Sequence, residues 1–230
     1  MRLKIRNVLF IVLCCAFPAS AATTFFGPTP YLSEADVPAT FICDICEDCE
    51  HIIENFEDNS LDFGITISDG EIIGPDFSTG VDSLTDSVDG DDGTVDGVGA
   101  EGFSYFTFGN SFTIDFAEPV KSAGLVWTDG DTNTLTSFEA FAPDGTSLGV
   151  IGPFSISDDS FQGTVGEDSF FGAMDTDTGI GSIMITNVGG QGIEIDHVQF
   201  SNCDCVPEPN GLMMVAIGCL GVIGFLRRRR

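Results

Sequence analysis

The stretch that decides the fold class runs Phe103-Ser104-Tyr105-Phe106-Thr107-Phe108-Gly109-Asn110-Ser111-Phe112-Thr113-Ile114-Asp115-Phe116. In its second half three large apolar residues alternate with Thr113 and Asp115, a period of two that is typical of a strand with one buried face. Gly109-Asn110 separates the two apolar runs and predicts a tight hairpin turn between them. The stretch therefore predicts antiparallel β structure.

Similar short apolar segments follow along the chain, separated by turn residues such as Pro143-Asp144-Gly145. Turn signals recur roughly every 8 to 12 residues and no segment of the central chain has a helical period over three turns, which favours a single all-β domain, a β-sandwich or jelly roll, over residues 54–202. The further strand candidates are Val120–Thr128, Leu135–Phe141, Leu148–Ile151, Phe161–Val165, Ser169–Met174 and Ile180–Thr186.

The last strand changes phase. Ile193 and Ile195 share one face, whereas Val198 and Phe200 share the other. One extra residue near Asp196 or His197 would return both pairs to the same core, so the pattern predicts a β-bulge there.

The first 21 residues have the features of a secretory signal peptide. Three basic residues precede the apolar stretch Val8–Phe17, and Ala19-Ser20-Ala21 offers a small-residue cleavage site. Seven of the eight basic residues lie in the two termini, so the segment from Ala22 to Leu226 sets Lys121 alone against all 36 acidic residues, a formal charge of −35. Such a segment repels nucleic acid and anionic lipid, and it attracts divalent cations.

Two groups of cysteines flank the predicted sandwich. One group lies in the acidic segment 22–53 and the other follows the last strand. Export from the reducing cytosol favours disulfides between the groups, while the C-x-x-C-x-x-C spacing of the first group also allows a zinc or iron–sulfur site. The cysteines concerned are Cys43, Cys46, Cys49, Cys203 and Cys205.

Residues 203–230 form a tail of three parts. Val206-Pro207-Glu208-Pro209 comes first, an uncharged run at 211–226 follows, and Arg227-Arg228-Arg229-Arg230 ends the chain. At about 1.5 Å per residue the uncharged run extends roughly 24 Å as a helix, slightly less than a bilayer core, so it predicts a marginal single transmembrane anchor. The arginines should stay on the cytoplasmic side, which places the preceding chain outside.

These three parts resemble, in order, the PEP-CTERM sorting signal. The resemblance implies export by the Sec-type machinery, transient anchoring in the inner membrane, and recognition by an exosortase before release to the cell surface or the extracellular polysaccharide. Strings in the central chain are similar to a globular domain that recurs in such secreted proteins, over about Glu54 to Phe200. They include Asp86-Ser87-Val88-Asp89, Trp127-Thr128-Asp129-Gly130 and Ile193-Glu194-Ile195-Asp196-His197.

Residues that could carry catalysis are few. Asp196 and His197 are adjacent and should point to opposite faces of a strand, so they are not expected to form a catalytic pair, and His51 is expected in a solvated acidic loop. Trp127 would serve a sugar-binding platform if exposed, although its alternation with Leu125 favours core packing. Tyr31 and Tyr105 are the other amphipathic aromatics.

Calcium is the candidate cation, since no cofactor is otherwise indicated. Calcium prefers six to eight hard oxygen ligands, and three turns are rich in them. Ordinary hairpin chemistry explains any single Asp-Gly turn equally well. The residues are Asp86, Asp89, Asp91, Asp92 and Asp96 in the first turn, Asp129, Asp131 and Asn133 in the second, and Asp175 and Asp177 in the third.

Two functions follow from these observations. The first is a non-catalytic, exported structural or glycan- or cation-binding module associated with exopolysaccharide. The alternative is a secreted hydrolase acting on polysaccharide, which would need a positioned pair of carboxylates. With 36 acidic residues, sequence proximity does not discriminate such a pair.

Overall fold

A computed structural model describes residues 23–42, 50–74, 85, 87–88, 102–130, 134–157, 166–190 and 192–202. The described residues form two antiparallel β-sheets, consistent with a β-sandwich, with one short α-helix, Ala39–Ile42, and one 3-10 turn, Glu34–Asp36. The strands are β1 (Thr24–Pro30), β2 (His51–Glu54), β3 (Ile65–Ile67), β4 (Glu71–Ile73), β5 (Ser104–Thr107), β6 (Ser111–Val120), β7 (Ser122–Gly130), β8 (Leu135–Phe141), β9 (Ser147–Phe154), β10 (Ser169–Met174), β11 (Ile180–Val188) and β12 (Ile193–Ser201).

The first sheet has the order β1-β10-β7-β12-β5-β4, and β2 also pairs with β12. The second sheet has the order β3-β6-β11-β8-β9. The predicted strands at Leu135–Phe141 and Ser169–Met174 are confirmed without change. The segment at 161–165 lies outside the described residues, and described residues before position 54 belong to the sandwich because β1 and β2 lie in the first sheet.

The predicted hairpin at Gly109-Asn110 is wrong. β5 lies in the first sheet and β6 in the second, so this turn carries the chain across the sandwich. The carbonyl groups of this turn accept hydrogen bonds from distant parts of the chain. Asn187 N donates to Asn110 O at 2.8 Å, and Gly192 N donates to Gly109 O at 3.1 Å. The Gly109-Asn110 dipeptide is compatible with a tight reversal of the chain. Which sheet each flanking strand joins depends on how the side chains of that strand pack.

The main core lies between the two sheets. It contains Phe112, Ile114 and Phe116 from the stretch that predicted the fold, together with Trp127 and Phe138. Their burial confirms that the alternating face of β6 points inward. Deeply buried aromatic side chains make this inter-sheet layer the main stabilising feature of the fold.

A second apolar cluster covers the outer face of the first sheet. Tyr31, Val37 and Phe41 of the N-terminal segment pack there with Val126 of β7 and Phe170 of β10. Consequently every residue of β7 and β12 is buried, on both faces of the sheet. Strands buried on both faces provide well-fixed positions for polar side chains that need defined partners.

The predicted bulge in β12 is confirmed. The β12–β7 register shifts between Asp196 and Gln199, and His197 has a left-handed φ of 43°. Ile195 and Val198 therefore both reach the inter-sheet core. Asp196 and His197 both bind residues of the second cluster, Val88 and Tyr31 respectively. The expectation that the two side chains point to opposite faces of the sheet is therefore wrong.

Candidate functional site

The start of β1 and the end of β12 lie at the same end of the first sheet. Thr24 lies opposite Met174, Met174 opposite Ser122, Ser122 opposite Ser201, and Ser201 opposite His51. We call this row the tail-proximal end, because residues 203–230 follow directly after Asn202. Thr24 and Ser201 therefore lie at the same end of the first sheet, three strand spacings apart.

The predicted sorting and anchoring residues lie outside the described residues. These are Val206, Pro207, Glu208 and Pro209, the run at 211–226, and Arg227, Arg228, Arg229 and Arg230, and the same holds for the signal peptide. In the described ranges, no helix is long and apolar enough to cross a membrane.

All five candidate cysteines also lie outside the described residues. The structure does describe the residues that follow the first group and those that precede the second. β2 begins two residues after Cys49, and β12 ends two residues before Cys203. β2 and β12 pair with an unbroken register from Glu54 opposite Val198 to His51 opposite Ser201. The described residues that flank the two cysteine groups, His51 and Ser201, are therefore directly opposed at the tail-proximal end, and the bridge itself stays a prediction.

Asp175 is the best-described of the predicted calcium ligands, and its oxygens bind the chain itself. Oδ1 accepts from the backbone N–H groups of Asp177, Thr178 and Gly179 at 2.8–3.1 Å, and Oδ2 accepts from the Thr23 hydroxyl at 2.7 Å. Burial raises the pKa of Asp175, but these hydrogen bonds outweigh it and leave the pKa below the usual value. Asp175 thus stabilises the turn after β10 and ties it to the N-terminus.

Asp129, the second described candidate, lies in a buried pair of acids. The β7–β12 register places it directly opposite Glu194, so both side chains lie on the same face of the sheet. Gly130 N donates to Asp129 at 2.5 Å, and Ser104 donates to Glu194. Directly opposed residues have Cβ atoms about 5 Å apart, so the two acids are neighbours. However, Asp129 and Glu194 are only 8% and 4% exposed.

Asp177 is exposed beside Asp175, whereas Asp86, Asp89, Asp91, Asp92, Asp96, Asp131 and Asn133 lie outside the described residues. In the part of the chain that the structure describes, no group of three His, Cys, Asp or Glu side chains could hold a metal ion. Ser87 and Val88, which stand between Asp86 and Asp89, are described and buried against the first sheet. Ser87 and Val88 are therefore attached to the outer face of β12.

Asp196 and His197 bind different partners on that outer face. Asp196 Oδ2 accepts from the Ser87 hydroxyl at 3.0 Å and from Val88 N at 2.8 Å. His197 Nδ1 lies 2.9 Å from the Tyr31 hydroxyl. Asp196 therefore fixes the 87–88 segment, while His197 Nδ1 contacts the N-terminal segment, and Asp196 Oδ1 also accepts from His197 N at 2.6 Å.

A longer polar row extends from this point to β2. Gln199 Nε2 reaches the Tyr31 hydroxyl at 3.5 Å, and His51 Nε2 lies 3.2 Å from Gln199 Oε1. His51 thus lies in β2, not in the solvated loop that the sequence suggested. We call Tyr31, His51, Asp196, His197 and Gln199 the outer-face network. The sequence did not predict the roles of Tyr31 and Gln199, because their partners are over 140 positions away in the chain.

Glu54 has a raised pKa, the kind of acid that a hydrolase would need. Burial is the largest cause of the raised value, opposed by backbone hydrogen bonds from Asp62 and Phe56. Phe56 N donates to Oε1 at 2.7 Å and Asp62 N donates to Oε2. Both carboxylate oxygens therefore hold the loop after β2, which is a structural role.

The aromatic platform expected of a glycan-binding site is absent from the predicted residues. Trp127 and Tyr31 are fully buried and Tyr105 is 5% exposed. The exposed aromatic side chains among the described residues are instead Phe63 and Phe108, and Phe108 packs edge-to-face on Phe106 with ring centroids 4.8 Å apart. A phenylalanine ring provides an apolar face without the polar tip of tryptophan or tyrosine.

No protein-family model, curated protein or solved structure matches the chain.

Proposed function

We propose that this chain is an exported surface or matrix protein that is sorted by an exosortase, and that its sandwich is a non-catalytic structural or binding module. The observation that carries the proposal is the order of the tail: Val206-Pro207-Glu208-Pro209, an uncharged run, and four terminal arginines. The signal peptide at the other end of the chain supports export. The inner membrane would hold the protein only until the tail is processed.

The end of the last strand, from which the tail continues in the sequence, supports this proposal. β12 is central in the first sheet and ends at Ser201, so the tail leaves from a buried strand at the tail-proximal end. The sorting motif begins five positions after Ser201 in the sequence, so a processing enzyme would act near this end of the domain. The strands of the described sandwich all lie between Thr24 and Ser201, so removal of residues 1–21 and of the chain from the sorting motif onward would take away none of them.

A jelly-roll topology is part of the proposal. The strands β10-β7-β12-β5 and β6-β11-β8-β9 form two four-stranded halves, and from β5 to β12 the chain changes sheet at every connection except the β8–β9 hairpin. Lectin domains are among the proteins built in this way, which supports a binding role by analogy of fold alone.

A non-catalytic role is supported by what the buried acids bind. Asp175, Asp196 and Glu54 all accept hydrogen bonds that shape turns or fix segments of the chain. Asp129 and Glu194 are neighbouring acids, as a hydrolase would need, but their burial argues against contact with a polymer substrate. A glycan-binding screen with and without calcium, run beside a hydrolysis assay on the same polysaccharides, separates the two functions.

Sorting is tested by changing the motif in the full chain. We expect the double variant Pro207→Ala, Pro209→Ala to remain in the membrane of a host that has an exosortase, while the wild-type protein is released. Asn210→Ala, which lies just outside the motif, is the matched control and should be released. If the double variant and the wild type distribute equally, the tail is not a processing signal.

A further inference from the structure

Among the described residues, three buried side chains at one end of the inter-sheet core each have a polar atom without a hydrogen-bond partner. Trp127 and Asn187 are fully buried and Thr136 is 1% exposed. Among the described residues, Trp127 Nε1, Thr136 Oγ1 and Asn187 Oδ1 have no hydrogen-bond partner. Such groups are rare in native proteins, and each leaves a desolvation cost that a bound molecule could remove.

The fold places these three side chains together. Thr136 and Asn187 are directly opposed in the β8–β11 ladder, and both point into the core. Across the sandwich, a Cβ built on Gly130 would lie 2.2 Å from Trp127 Cζ2 and 2.9 Å from Asn187 Nδ2. The tryptophan ring and the asparagine amide are therefore no more than about 5 Å apart at Gly130, too close for a further layer of side chains.

The orientation of the asparagine is fixed by a separate contact. Asn187 Nδ2 donates to Gly192 O at 3.2 Å, which leaves Oδ1 as the free acceptor of the amide. Trp127 Nε1 is a donor only, and the Thr136 hydroxyl can both donate and accept. Together the three groups offer one donor, one acceptor and one group that is either.

We propose that these three groups hold one buried water molecule. The water accepts from Trp127 Nε1–H, donates to Asn187 Oδ1 and makes its third bond to the Thr136 hydroxyl. Buried waters make about three hydrogen bonds to groups that would otherwise be unpaired, which is the number that this site supplies. The water joins β7 of the first sheet to β8 and β11 of the second.

A crystal structure of the exported protein at high resolution is the first test. We expect a density peak within hydrogen-bond distance of all three atoms. A direct hydrogen bond between Trp127 Nε1 and Asn187 Oδ1, or an empty space between the three groups, would overturn the proposal.

A pair of matched variants is the second test. Thr136→Val keeps the shape and removes the hydroxyl, so it should lower the melting midpoint by about 2–4 °C, the effect of one lost hydrogen bond in a chain of this size. Thr128→Val is the control, because Thr128 Oγ1 is also buried without a partner but lies at the register shift of β7, outside the site. The control should keep or raise the midpoint, because it removes an unpaired polar group.

The single tryptophan gives an independent readout of the same site. Thr136→Val should shift the Trp127 emission maximum to shorter wavelength, since the indole loses part of its polar environment, whereas Thr128→Val should leave it unchanged. Equal midpoints and equal emission maxima in the two variants would refute the shared water.

Discussion

Replacing Cys203 with serine should strongly destabilise the oxidised, exported protein. The register of β2 on β12 is unbroken from Glu54 opposite Val198 to His51 opposite Ser201. In the sequence, Cys49 and Cys203 each lie two positions beyond this last opposed pair. Opposed residues of an antiparallel pair have Cα atoms about 4.5–5.5 Å apart, within the range that a disulfide spans. We therefore expect the predicted bridge between the two cysteine groups to join Cys49 and Cys203.

The size of the effect follows from the loop that this bridge closes. A loop of roughly 150 residues corresponds to about 5 kcal/mol in the chain-entropy treatment of the unfolded state, which sets the upper limit of the loss. At about 2–4 °C per kcal/mol, the melting midpoint of Cys203→Ser would fall by up to about 10–20 °C. Bridge formation converts two thiols to one disulfide and reduces a disulfide-type oxidant of the exported compartment to its dithiol.

Peptide mapping without reduction identifies the bridge, and thermal melting measures its effect. Cys205→Ser is the matched control and should retain most of the stability of the wild-type protein. Reductant should lower the wild-type midpoint towards that of Cys203→Ser and leave the variant unchanged. Bridges confined to Cys43, Cys46 and Cys49, or zinc or an iron–sulfur cluster bound to them, would refute the reasoning.

Three further predictions concern the acidic residues. Asp196→Ala should lower the free energy of unfolding by about 3 kcal/mol, since Ser87 and Val88 lose their buried acceptor, and denaturant unfolding beside Asp196→Asn measures this. Folding lowers the pKa of Asp175, so its ionised carboxylate stabilises the folded state above the ordinary aspartate pKa of about 3.9. This stability is lost as the pH falls through the lower pKa of the folded state. Melting below about pH 4 should therefore depend less on pH in Asp175→Asn, and an unchanged acid limb would contradict this account. Millimolar calcium should raise the melting midpoint relative to chelator at constant ionic strength. Replacing the aspartates between Asp86 and Asp96 with asparagine should remove this increase. An unchanged wild-type midpoint would mean that these aspartates lie in solvated turns that bind no calcium.

Local patterns predict the strands well, because apolar and polar residues alternate along a strand that has one buried face. Phe112, Ile114 and Phe116 have such a period and all three are buried. The bulge in β12 was predictable for the same reason, since two pairs of apolar residues out of phase can share one core only if a residue is inserted.

Pairing between strands was less predictable. Gly109-Asn110 is equally suited to a hairpin and to a crossing between sheets, and the choice depends on distant partners such as Asn187 and Gly192. The covering of the first sheet by Tyr31 and Phe41 was not visible in the sequence either. For that reason Trp127 was only favoured as a core residue, and His51 was expected in a loop.

The central claim is that both termini are processing signals and that the mature protein is the sandwich between them. Intact-mass measurement of the protein recovered outside a host that has an exosortase tests this claim most directly. We expect a mass that lacks residues 1–21 and the arginines Arg227–Arg230. Mature protein that retains all four arginines would contradict the account.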